Sequence, residues 1–244
     1  MALNFSLDSL LEQSLLTEDP WWVYILNGAW WTIGLTIAAF ALALLIGIIV
    51  GTLRTVPNKF VRGLCEAWIE LFRNIPLIVQ IFIWYFVVPE LVPWYKDWLI
   101  EVDPAVGQFV TAFICMGLFT SSRIAEQVRA GISSLPRGLP NAAKALGFTT
   151  VQAYVQVVLP MAMRLIVPPL TSESMNLVKN TAVAMTIGLP ELTMRANEMG
   201  ENTFTFFAAY LWATILYIII ALVVNQLMAW VEKKSFIPGF IAAK

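Results

Sequence analysis

Five long apolar stretches run through the 244-residue chain, separated by short segments rich in charge, proline and glycine. They extend from about Trp22 to Leu53, Val61 to Val88, Ala105 to Ala130, Met161 to Leu189 and Phe204 to Val231. A helix of about 20 apolar residues crosses about 30 Å of hydrocarbon, so each stretch is long enough to span a bilayer. Barrel strands would be shorter and would alternate in polarity, so the pattern predicts helices. The expected fold class is an all-α membrane protein with five transmembrane helices. Its parts are an external segment over 1–21, a transmembrane domain over 22–231 and a cytosolic tail over 232–244. No internal repeat is visible, and no soluble domain fits between the spans. Before the first span, Leu7, Leu10, Leu11 and Leu15 recur at helical spacing. An amphipathic helix on the membrane surface and a frayed leader both fit them. Asp8, Glu12, Glu18 and Asp19 occupy the place where a cleaved signal would carry basic residues, so no such signal is expected.

Composition agrees with the pattern. The chain is 59% hydrophobic and 13% charged, against about 25% charged in soluble domains. The net charge of −1 gives no nucleic-acid signal. The absence of histidine removes His-based acid–base chemistry and the commonest zinc ligand. Cys65 and Cys115 lie alone in apolar surroundings and read as packing residues, so no metal site is expected.

The charges between the spans set a topology. Arg54, Lys59 and Arg62 follow the first span. Arg129, Arg137 and Lys144 follow the third, and Lys233, Lys234 and Lys244 lie in the tail. The other two loops are acidic, with Glu90, Asp97, Glu101 and Asp103 in one and Glu191, Glu198 and Glu201 in the other. Basic loops stay in the cytosol, so the N-terminus is expected outside and the C-terminus inside. Trp21, Trp22, Trp30, Trp31, Trp94 and Trp98 then fall near the outer surface and read as interfacial anchors.

The loop over about 131–160 carries the most specific signal. Ser134 to Pro140 is turn chemistry. Asn141 is a fair N-cap, Ala142, Ala143, Ala145 and Leu146 favour a helix and share a face, and Gly147 suits its end. A helix this short is marginal alone. Its ridge must pack on the chain's own spans or on another protein. Asn141-Ala142-Ala143, Gly147, Val157 and Leu159-Pro160 resemble the "EAA" loop of binding-protein-dependent ABC importer permeases, with Asn141 replacing Glu and Val157 replacing Ile. The resemblance extends from about Gly28 to Gly239. It is closest to the polar amino-acid uptake family, and within it to glutamate/aspartate permeases. Arg54 to Asn58, Glu70 to Gln80, Glu126 to Arg129 and Ser172 to Asn180 carry it.

The resemblance implies a type I importer bundle with a cytosolic coupling helix, in a bacterial inner membrane. It implies a homologous permease partner (or a second copy), two ATPase subunits that bind ATP and Mg, and an external substrate-binding protein. Asn141, Ala142, Ala143, Leu146 and Gly147 would form the ATPase-docking element. The chain itself would hold no cofactor and have no catalytic residue. No Gly-x-x-x-x-Gly-Lys-Ser/Thr loop occurs in it.

Charges within the spans cost roughly 2.5–3.5 kcal/mol at the bilayer centre and need partners or a wet path. Glu66, Glu70 and Arg73 stripe one face of the second span, as a structural or gating set in which Glu70 pairs with Arg73. Arg123 interrupts an apolar and small-residue run in the third span. It is expected to reach the inner surface, to pair with Glu126, or to clamp a substrate carboxylate. An arginine near this position resembles the acidic-substrate branch of that family. Glu173, Asn176, Lys179 and Asn180 fall on one side of the fourth span after Pro168-Pro169, which should kink it. They read as a solute pathway or as polar helix packing. An intramembrane enzyme lacks its nucleophile–base pair here, and a secondary transporter lacks its repeat. A scaffold permease whose partner holds the substrate, or a permease for glutamine, stays open beside the acidic-substrate reading.

Overall fold

A computed structural model of the chain describes Leu11, Gln13, Ser14, Leu16, residues 19–136 and residues 138–235. Among these the structure is helical, with one isolated β-bridge between Gln13 and Pro20. The elements are α1 (Trp21–Leu53), α2 (Lys59–Asn74), α3 (Leu77–Leu91), α4 (Pro93–Glu101), α5 (Pro104–Ser133), α6 (Leu139–Ala145), α7 (Thr150–Ile187), α8 (Leu192–Thr203) and α9 (Phe206–Ser235). The expected surface helix around Leu7, Leu10 and Leu15 lies outside the described residues, as do Arg137 and Lys244.

Four helices, α1, α5, α7 and α9, are long and apolar enough to cross a membrane, and α2 with α3 makes a fifth span if the pair is counted as one. The expected continuous second span is therefore broken. Pro76 disfavours helical geometry at the residue before it, and Ile75 adopts φ −93°, ψ 130°. Within α3, Ile83–Val87 forms a π-helical turn. Pro168 and Pro169, where a kink is expected, lie inside α7, which stays helical through both. Its irregular turns lie at Tyr154–Val158, which is π-helical, and Thr181–Ile187, which is 3-10.

The chain divides into two compact units. One takes Phe40–Ile75, Gly117–Met175 and the segment from Val224 onward. Its core holds Ala43, Ile124, Val128, Ile166 and Leu170. Here α1 crosses α5 so closely that a Cβ on Gly51 would stand 2.5 Å from the Ala125 carbonyl oxygen. Only glycine fits that crossing. Asn58 caps α2, its side chain accepting from Phe60 N at 3.0 Å and Val61 N at 3.2 Å.

The other unit takes the segment up to Ala39, Pro76–Met116 and Asn176–Val223. In it, Leu192 N donates to Thr32 Oγ1 at 3.2 Å, fastening α8 to α1. The tryptophans separate into two groups. Trp22, Trp30 and Trp94 are exposed, as anchors would be. Trp21 is buried, Trp31 packs on Phe109, and Trp98 stacks on Tyr95 at 5.9 Å. These last three are packing residues, because their indoles find aromatic or core partners within the unit.

Candidate functional site

The 139–160 region folds as a short helix, a tight stop and a new helix. Gly138 precedes α6 without a side-chain cap, and Pro140 occupies its first turn, where its missing N–H costs nothing. Asn141 is therefore inside the helix and not its N-cap. The turn from Pro136, closed by Leu139 N donating to Pro136 O at 2.9 Å, starts the helix earlier than capping preference suggests.

The end of α6 is a Schellman motif. Phe148 N donates to Ala143 O at 3.2 Å, and Gly147 N donates to Lys144 O at 3.0 Å. Gly147 sits at φ +90° with open space around its Cα, so the constraint on it is backbone conformation and not room. A capping box then starts α7. Thr149 Oγ1 accepts from Gln152 N at 3.3 Å, and Gln152 Oε1 accepts from Thr149 N at 2.8 Å.

Of the expected ridge, only Ala143 is buried. Leu139 packs into a cluster with Leu135, Tyr154 and Val158, which holds the base of α6 on its own chain. Asn141, Ala142, Ala145 and Leu146 are exposed, and Leu146 is 80% exposed. The element is anchored on one side and presents an apolar tip on the other.

Tyr154 ties this element to the end of α1, its hydroxyl donating to Thr55 O at 3.4 Å. Arg54, one residue before, ion-pairs with Glu126 and stands 3.6 Å from Glu66. Glu126 also accepts from Arg129 Nη2 at 2.6 Å. Arg62 reaches Glu66 at 3.8 Å. The Glu66–Glu70–Arg73 stripe therefore divides. Glu66 joins the arginines, while Glu70 and Arg73 are exposed and not paired with each other. The local i, i+3 spacing suggested that pair, but nothing excludes water from it, and exposed pairs of this kind are weak.

Glu126 is thus occupied, and Arg123 goes elsewhere. Its Nη1 stands 3.8 Å from Glu173 Oε2, and its guanidinium lies 5.1 Å from the Phe119 ring centre. Gln127 Nε2 donates to the same carboxylate at 3.3 Å. Two expected pathway residues, Arg123 and Glu173, are thus brought together across α5 and α7. Asn176, Lys179 and Asn180 follow on α7, the asparagines half-buried and the lysine exposed.

Sequence reasoning missed Glu191. Read as one of several loop acids, it is fully buried. It caps α8 by accepting from Met194 N at 2.8 Å, and it accepts from the Tyr217 hydroxyl at 2.6 Å. Burial pushes its carboxyl above the usual range, opposed by the bonds from Tyr217, Thr193 and Met194. Close by, Tyr24 donates to Glu198 at 2.6 Å, and Arg195 bonds both. Among the described residues, no three His, Cys, Asp or Glu side chains are grouped to hold a metal ion.

Residues 43–236 match the family described as binding-protein-dependent transport system inner membrane component. The chain is 43% identical to the glutamate/aspartate import permease protein GltJ of Escherichia coli (strain K12), with 100% of each chain covered. It is 27% identical to the glutamate/aspartate import permease protein GltK of Escherichia coli O6:H1, over 87% of this chain and 93% of that one. A crystal structure of an amino acid ABC transporter with histidines shares the fold at a TM-score of 0.72 and 24% identity, over 87% of this chain and 94% of that one. The family match covers most of the chain, and the GltJ relative aligns along its whole length. The chain belongs to the family of binding-protein-dependent transport system inner membrane components.

Proposed function

We propose that the chain is one of two homologous permease subunits of an ATP-driven importer for glutamate and aspartate. Its full-length likeness to GltJ supports this, and it is stronger than the likeness to GltK, 43% against 27% identity. Two different permeases of one described specificity favour a GltK-like partner over a second copy of this chain. ATP and Mg belong to two separate ATPase subunits, and an external binding protein delivers the solute. The basic loops favour an N-terminus outside and a C-terminus in the cytosol. With that orientation, α6 and the exposed Leu146 face the ATPases. Glu70 and Arg73, exposed on α2, are available to a neighbouring subunit as gating charges.

The observation that carries the substrate assignment is the Arg123–Glu173 pair. At 3.8 Å the guanidinium is held in place without its donors being consumed, and the Arg123 side chain is 42% exposed. An arginine so placed can take a carboxylate bidentately, which an ammonium cannot do in the same geometry. Asn176, Lys179 and Asn180, further along the sequence of α7, enter the pathway reading by their helical spacing alone. In this reading ATP binding and hydrolysis in the partner switch two states of the bundle, and α6 transmits the change.

Reconstituting the complete transporter and measuring amino-acid-stimulated ATP turnover tests the assignment. Glutamate and aspartate should stimulate strongly, and glutamine weakly. Stimulation by glutamine alone would overturn it.

A further inference from the structure

We infer that an arginine-lined cavity at the common end of α1, α2 and α5 binds a phosphate ester, the headgroup of an anionic phospholipid in the adjacent leaflet. The cavity has a volume of about 330 Å³ and is lined by Arg54, Thr55, Arg62, Glu66, Arg129 and Ser133. Arg54 directly follows the last residue of α1, and Ser133 is the last residue of α5. Both helices are long enough to cross a membrane, so the cavity lies where hydrocarbon gives way to headgroups.

The charges there do not balance. Three guanidiniums face two carboxylates. Glu126 takes both Arg54 and Arg129, and Glu66 is left to Arg54 at 3.6 Å and Arg62 at 3.8 Å. Those last two contacts are near the limit of an ion pair, and the Arg62 side chain is 55% exposed. Lys59, one turn before Arg62 on α2, adds another cation. A phosphate oxygen entering the cavity meets the donors that Glu66 holds least firmly, and planar guanidiniums suit phosphate geometry. Basic pockets between membrane helices are a known form of headgroup site.

Leu53, the last residue of α1 and the neighbour of Arg54, is exposed. An exposed apolar residue adjoining a cationic pocket suits a molecule with a charged head and acyl tails, which a free phosphate ion lacks. The inference does not depend on which solute is carried.

The test uses the whole assembled transporter, titrated in detergent with phosphatidylglycerol or phosphatidylcholine and followed by native mass spectrometry. Phosphatidylglycerol should be retained selectively. Arg62→Gln should weaken that retention about fivefold, the effect of one basic residue near an anionic headgroup. Arg62→Lys, which keeps the charge, should recover part of it, and this recovery separates lost binding from a folding defect. Equal retention of phosphatidylglycerol by wild type and Arg62→Gln would overturn the site. Full displacement of phosphatidylglycerol by inorganic phosphate, with no preference between the two lipids, would overturn the lipid as ligand.

Discussion

Arg123 pairs with Glu173 across α5 and α7, Nη1 to Oε2 at 3.8 Å, although Glu126 lies only one turn away from Arg123. The nearer carboxylate is taken by Arg54 and Arg129. A distant partner is thereby selected because the local one is already engaged.

If that guanidinium receives the substrate, Arg123→Met removes a charge-assisted bond worth about 1.5–3 kcal/mol. Uptake of glutamate should then fall roughly tenfold or more. Co-purification with the ATPase should be unchanged, since the side chain is partly exposed and α6 is untouched. Unchanged uptake would make Arg123 a structural residue.

At Gly147 the expected defect is the opposite. A valine forced to φ +90° carries strain of about 1–3 kcal/mol and opens the Schellman motif. Gly147→Val should leave the protein in the membrane but separate ATP turnover from transport. Solute-stimulated ATPase activity compared with uptake in the same vesicles measures this.

Gly51→Ala tests the crossing of α1 and α5. The added methyl meets the Ala125 backbone, which cannot move aside as a side chain can. A loss of about 1–3 kcal/mol is expected, seen as a lower midpoint of thermal unfolding in detergent. Gly63→Ala, inside α2 where a Cβ meets nothing within 4 Å, is the matched control and should raise the midpoint slightly, by the ~0.5–1 kcal/mol that separates alanine from glycine in a helix.

Glu191 should show a pH signature. Its carboxyl is raised by burial, so the folded state holds the proton more firmly than the unfolded chain does. Its contribution therefore favours the fold at low pH. That contribution is lost as pH rises from the ordinary carboxylate range through the raised value. Glu191→Gln should flatten the dependence and keep the bonds from Met194 and Tyr217 satisfiable. Glu191→Ala removes the side-chain cap on Met194 N, and should cost about 0.5–2 kcal/mol at every pH. Thermal unfolding across pH distinguishes the three proteins.

The apolar runs that became α1, α5, α7 and α9 were legible because burial in lipid requires long uninterrupted stretches. The break at Ile75-Pro76 was written in the sequence too, but it vanished under the average apolarity on either side of it. Gly147 was readable from its spacing, since few residues tolerate that backbone geometry. The start of α6 was not, because the Pro136 turn outweighed the capping preference of Asn141. Glu191 and the Arg123–Glu173 pair stayed hidden for a common reason. Their partners come from other helices, and nothing local in the chain announces which acid is enclosed and which arginine is already engaged.

The force-bearing role of α6 is tested most directly at Leu146, the exposed tip of the element. With Leu146→Cys and a cysteine on the ATPase surface of the assembled transporter, a cross-link between the two chains should form. Its yield should change between nucleotide-free and ATP-bound conditions. A cross-link confined to this chain, or none in any nucleotide state, would contradict transmission through α6.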